Sequence, residues 1–175
     1  MDTFFEQIVR RKKTTTDLLL LSATVAGAFF LAYLSLWLMQ YIGMLFIVLL
    51  AGVIVGLWWV FTMTGVEFEY SVTNGDIDID QITGKRNRKR IVSVAGRRVE
   101  SCGRYSADVG QRAFDRKLMT GPSPLAKGLW YFTYRSKKNG HTLVIFQPNE
   151  KVLPAFIDGL DKRLQAEIKR DNDIH

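Results

Sequence analysis

In "TNGDIDID" three aspartates, Asp76, Asp78 and Asp80, fall on alternate positions, and five of the six residues from Lys85 to Arg90 are cationic. Carboxylates in a row could hold a divalent cation, and a basic run could hold a polyanion. On a strand, same-face residues stand about 6.7 Å apart. Calcium instead takes roughly six to eight oxygens at about 2.3–2.6 Å, usually from a loop folded back around a glycine. The aspartates lack such a loop, so no metal or cofactor is assigned to them. Repulsion among them is relieved by a neighbouring strand of opposite sign. If Arg88–Val94 returns beside Asp76–Ile82, then Arg88, Lys89 and Arg90 can pair across the strands, each pair contributing about 0.2–1 kcal/mol. Lys85 and Arg86 fall on the turn between these strands. The five cations Lys85, Arg86, Arg88, Lys89 and Arg90 form the candidate lipid- or partner-binding set.

Catalytic chemistry has little to work with. Cys102 is the only cysteine, which excludes an intrachain disulfide and a multi-cysteine zinc cluster. His141 lies beside a hairpin turn and His175 ends the chain. Neither is visibly placed as a base for Cys102 or a serine, and a lone cysteine usually packs as a small apolar group. The expectation is a non-enzymatic protein. From Lys85 to Lys138 there are fifteen Lys and Arg against Glu100, Asp108 and Asp115, an electrostatic footprint that nucleic acid could use. No helix-turn-helix, zinc or RNA-recognition signature accompanies it, and a membrane supplies an equally good anionic partner. Anionic lipid is therefore preferred to nucleic acid.

The elements that must position these charges begin in lipid. Residues 18–38 and 42–63 are two charge-free apolar runs, each long enough at 1.5 Å per residue for a bilayer core of about 30 Å. A cleavable signal has a shorter apolar stretch, so a retained two-span hairpin is expected, turning at Met39, Gln40 and Tyr41. Arg10, Arg11, Lys12 and Lys13 precede the first run, and the basic segment follows the second. The positive-inside rule then places both termini in the cytoplasm of a cell-membrane protein. Neither run holds an ionisable group, which argues for an anchor over an ion pathway. Ala23 with Gly27, and Gly52 with Gly56, are small-xxx-small pairs that allow close helix packing, within the hairpin or in a homo-oligomer. Residues 1–17 read as an N-terminal interfacial segment, with Phe4, Phe5, Ile8 and Val9 near one helical face. A soluble helix capping the domain is the competing reading.

From Val66 the apolar period changes to two. Val66, Phe68, Tyr70 and Val72 alternate with polar residues, Asn74-Gly75 is a strong hairpin signal, and Ile77 and Ile79 continue the pattern. A two-residue turn would pair Glu69 with Asp80 and gather the carboxylates on one face. "GLWYFTYR" and "HTLVIF" form a second hairpin around Asn139-Gly140. Leu153, Phe156, Ile157, Leu160, Leu164 and Ile168 recur at helical spacing behind Asn149, a natural N-cap. Residues 66–175 thus read as one α+β cytoplasmic domain, an antiparallel sheet closed by a C-terminal amphipathic helix. Residues 95–127 admit either a short helix or an irregular excursion.

Two spans, then "VEFEYSVTNGDIDIDQITGKRNRKR", then "WYFTYRSKKNGHTLVIFQPNEKVLPAF" resemble a family of small bacterial two-span membrane proteins whose C-terminal part is similar to bacterial pleckstrin-homology-like (PH-like) domains. The resemblance implies a strongly bent antiparallel sheet or partial barrel plugged by the last helix. That family has no established activity, so no catalytic residue is carried over. The functional expectation is an adaptor or assembly module at the inner leaflet for anionic lipid headgroups or protein partners. A homo-oligomer stays open, as does an accessory subunit of a larger transporter or secretion complex. A membrane-tethered nucleic-acid binder is a further alternative.

Overall fold

The structure, a computed structural model, describes residues 4–172 and separates into two compact units. The first, residues 12–66, is a helical hairpin of α1 (Thr15–Ile42) and α2 (Leu45–Met63). Both helices are long and apolar enough to cross a membrane. Thr14 opens α1 as a capping box, its N–H donating to Asp17 Oδ2 at 2.9 Å. The expected turn at Met39–Tyr41 is corrected: those residues complete α1. The chain reverses instead at Gly43 and Met44, because Gly43 can adopt φ +55° and stop the helix.

The less exposed positions of α1 include Leu21, Ala28, Ala32, Ser35 and Leu38; those of α2 include Phe46, Leu50, Val53, Leu57 and Val60. Steps of three, four and seven define one seam on each helix, with the small residues Ala28, Ala32 and Ser35 between Leu21 and Leu38 on α1 and large residues along α2. The hydroxyls of Ser22, Thr24, Ser35 and Thr62 donate back to carbonyls of their own helix at 2.8–2.9 Å. Internal satisfaction is what an apolar solvent demands of polar groups.

The second unit holds two four-stranded sheets and the C-terminal helices. One sheet, in the order β1-β2-β3-β4, contains β1 (Phe4–Arg10), β2 (Val66–Thr73), β3 (Asp76–Thr83) and β4 (Asn87–Val94). The helical reading of the N-terminal segment is corrected by β1. Phe4–Arg10 pairs antiparallel with β2, from Phe4 opposite Thr73 to Arg10 opposite Glu67. Phe4 and Ile8 face outward while Val9 is buried, a period of two that an available strand edge imposed on a segment short enough to adopt either form. Gln7 fastens the strand, donating to Gln147 O at 3.0 Å and accepting from Asn149 N at 2.7 Å. Both long helices are therefore inserted in the chain between two strands that are direct partners.

The other sheet runs β5 (Val99–Arg104), β7 (Trp130–Ser136), β8 (Gly140–Phe146), β6 (Arg116–Met119). The pairing of β6 with β8 is parallel, so the expectation of a wholly antiparallel sheet is corrected to a mixed one. Both readings of residues 95–127 have a share in the outcome. A 3-10 turn (Gly96–Arg98) and a short helix, α3 (Ala107–Gln111), flank β5, and β6 follows.

The core lies between the sheets. Phe132, Phe146 and Phe156 meet with ring centroids 5.3–5.8 Å apart, alongside fully buried Tyr70, Ile77, Ile79 and Val152. Tyr70 Oη donates to Thr120 O at 2.7 Å, tying β2 to the segment after β6. The single C-terminal helix expected from periodicity is two: α4 (Val152–Asp158) and α5 (Lys162–Asn172), interrupted at Gly159. The N-cap position of α4 is Lys151 and not the expected Asn149, whose Oδ1 nevertheless accepts from Val152 N at 2.8 Å.

Candidate lipid-facing site

The alternation that placed carboxylates on one face of β2 and β3 places arginines over them. Glu69 and Asp80 are buried despite their charge. Arg88 bonds Glu69 and lies 3.9 Å from Asp80, while Arg90 reaches Asp80 at 3.0 Å and Asp78 at 3.1 Å. A β-bulge makes this possible. Ile79 pairs with Val92, so regular register would set Asp80 opposite Ile91; the shift between Ile79 and Asp80 brings Arg90 there instead. The hydrogen bond that Arg90 Nε donates to Asp80, reinforced by the charges of Asp78 and Asp80, holds the Arg90 guanidinium more firmly protonated than usual. Asp76 turns elsewhere, accepting from Gly96 N at 3.1 Å. The three aspartates thus serve two different purposes.

Of the five candidate cations, Arg88 and Arg90 are committed to these ion pairs. Lys85, Arg86 and Lys89 stand exposed. Lys85 and Arg86 sit on a tight turn closed by Arg86 N donating to Thr83 O at 3.3 Å. Gly84 and Lys85 both have positive φ there, 61° and 59°. Because β2 and β3 are eight residues each and joined only by Asn74-Gly75, this turn lies at the end of the sheet where β1 stops and β2 starts. Arg10 pairs with Glu67 at 2.8 Å at that same end.

The other predicted positions are placed as follows. Ala23, Gly27, Gly52 and Gly56 lie off the α1–α2 seam, and a Cβ built on Gly27, Gly52 or Gly56 meets nothing within 4 Å. The hairpin-packing reading of these residues is therefore corrected: Ala28, Ala32 and Ser35 are the small residues of the seam. Burial pushes the Cys102 thiol up to about 12, which keeps it from forming a nucleophilic thiolate near neutral pH. His141 Nε2 lies 3.2 Å from Glu100 Oε2, and its backbone N–H donates to Asp115 at 2.7 Å. Sequence reasoning missed a groove of about 930 Å³ between Tyr105, Leu125, Trp130 and Leu153, rimmed by Arg104 and Lys127. Its one visible sequence signal is the pair of prolines in "PSPLAKG", residues 122–128.

A family model described as bacterial PH-like domain (DUF6106) matches residues 1–164. No curated protein and no solved structure matches.

Proposed function

We propose, from the premise that the chain belongs to the bacterial PH-like domain family DUF6106, that it is a two-span cell-membrane protein acting as a non-enzymatic adaptor or assembly module. Both termini are cytoplasmic, and Lys85, Arg86 and Lys89 hold the PH-like domain to anionic headgroups of the inner leaflet. The observation that carries this reading is the pairing of β1 with β2, down to Arg10 opposite Glu67. Strands flanking the hairpin can pair only if the chain leaves and returns on one side of the bilayer. The pairing also sets the Lys85 turn at the end of the sheet from which the chain departs. Each Lys or Arg near an anionic leaflet contributes about 1 kcal/mol, so three bias the orientation by about 3 kcal/mol.

The test uses the full chain in nanodiscs, with a fluorophore on an Asn87→Cys, Cys102→Ser variant and a headgroup quencher. Quenching should be stronger in anionic than in zwitterionic discs, and Lys85→Glu with Arg86→Glu should remove the difference. Equal quenching in both lipids sinks the lipid contact, and cleavage of the C-terminal part by protease outside sealed cells sinks the topology. A second reading, an accessory subunit of a larger membrane complex, draws support from the open faces at Gly27, Gly52 and Gly56. Co-purification of a stoichiometric membrane partner in mild detergent would favour it. Preference for a salt-matched oligonucleotide over anionic liposomes would favour a nucleic-acid binder.

A further inference from the structure

β4 ends its sheet, so among the described residues no strand lies along one side of its backbone. Two other terminal strands are flanked by helices, β1 by α4 and β5 by α5. Beside β4 runs an open groove of about 450 Å³, with Ile91–Val94 along one wall and Tyr134 and Ser136–Asn139 along the other. The groove exists because the chain crosses from β4 to β5 through the Gly96–Arg98 turn. The pairing of β5 with β7 then begins only at Val99 opposite Tyr134, leaving the tip of the β7–β8 hairpin to overhang.

The two halves of this edge differ in character. Arg88, Lys89 and Arg90 place charge on the first half, the usual protection of an edge against pairing with other chains. Ile91, Val92, Ser93 and Val94 carry none and favour strand conformation. Among the described residues the groove is lined by four cations, Arg90, Arg98, Lys137 and Lys138, and by no carboxylate. Arg90 is held by Asp78 and Asp80. Lys137 and Lys138 are exposed and make no ion pair among the described residues.

We propose that Ile91–Val94 is a docking edge for an extended acidic segment of a partner protein, which adds to the sheet beside β4 while Arg98, Lys137 and Lys138 hold its carboxylates. Open backbone donors and acceptors select a strand, which a lipid headgroup cannot imitate. Four residues offer about 13 Å of edge, and the surrounding positive charge selects the sign of the partner. The proposal deepens the adaptor reading by naming the protein-facing surface, and it is separate from the lipid contact at Lys85 and Arg86.

The test uses the full chain in zwitterionic nanodiscs, where the lipid contact is silent. The probe is a synthetic peptide alternating glutamate and valine, with a lysine–valine counterpart and inositol hexakisphosphate as comparison arms. The acidic peptide should bind at least about tenfold more tightly than the basic one and slow amide hydrogen exchange within Ile91–Val94. Lys137→Glu with Lys138→Glu, both on an exposed turn, should weaken binding by about tenfold, whereas Lys85→Glu should leave it unchanged. Equal binding of the two peptides, protection confined to other segments, or undiminished binding by the double variant overturns the proposal. Protection of Ile91–Val94 by the inositol phosphate but not by the peptide overturns it in favour of a headgroup site. Loss of lipid-dependent quenching, with peptide binding intact, would instead remove only the lipid contact.

Discussion

Gly159, between α4 and α5, lies so close to Gly75, in the β2–β3 turn, that a Cβ on either would run into the backbone of the other. Gly96 joins them, since a Cβ there would meet the carbonyl oxygens of both. Three backbones share the space that one side chain would need. Gly159→Ala should therefore destabilise the domain by about 1–3 kcal/mol, the usual cost of overpacking. Gly75→Ala should cost more, because φ +86° adds backbone strain. Thermal melts of the full chain in detergent, followed by far-ultraviolet circular dichroism, measure both.

Lys85 occupies a left-handed conformation, φ 59°, where glycine would be less strained. Lys85→Gly should raise stability by up to about 1 kcal/mol while weakening the preference for anionic nanodiscs. Opposite signs in the two measurements separate a residue retained for its charge from one retained for its turn. A loss in both would make Lys85 structural.

Arg88 covers two buried carboxylates, Glu69 and Asp80. Arg88→Ala should cost about 1–2 kcal/mol, more than an exposed ion pair is worth, because the carboxylates remain buried with less compensation. Adding Glu69→Gln should recover part of the loss. A double-mutant cycle in chemical denaturation gives the coupling, and a value near zero would return Arg88 to the lipid-binding set.

Local signals carried the parts of the fold that were legible in the sequence. Charge-free runs marked both long helices, Asn74-Gly75 marked the first hairpin, and ion pairing between β3 and some of Arg88, Lys89 and Arg90 followed from placing β4 beside β3. What stayed hidden depends on distant partners. β1 is a strand only because β2, more than fifty residues later, offers an edge. The break at Gly159 answers to Gly75, eighty-four residues earlier in the chain. Sequence also held several small residues in the apolar runs, and only the phase of the helices distinguishes Ala28 and Ala32 from Gly52 and Gly56. For the candidate site, the basic run was legible as a whole. Which of its cations cover the buried carboxylates, Arg88 and Arg90, depended on the bulge at Ile79/Asp80.

Tyr70 gives the domain an alkaline limit. Burial pushes its phenol from 10.0 up to about 12 in the folded state. The folded protein then holds this proton more tightly than the unfolded chain does, so the contribution is complete below pH 10 and is lost as pH rises toward 12. The loss amounts to about 2–3 kcal/mol. Tyr70→Phe should cost about 1 kcal/mol at neutral pH through the lost bond to Thr120 O, yet fall less steeply between pH 10 and 12. Parallel slopes for the two proteins in denaturant titrations would exclude Tyr70 as the source.

The helical hairpin offers a contrast between its two kinds of small residue. Ala28 and Ala32 occupy the sheltered face of α1, whereas Gly52 and Gly56 have open space around them on α2. Ala32→Leu should overfill the seam and loosen the hairpin by about 1–3 kcal/mol, read as a loss of resonance energy transfer between labels on the two helices. Gly52→Leu should leave that transfer unchanged, since the added side chain enters unoccupied space. If Gly52→Leu instead reduces cross-linking between copies while Ala32→Leu does not, the outward face holds a second copy of the chain. An equal loss of transfer in both variants would place Gly52 back on the seam.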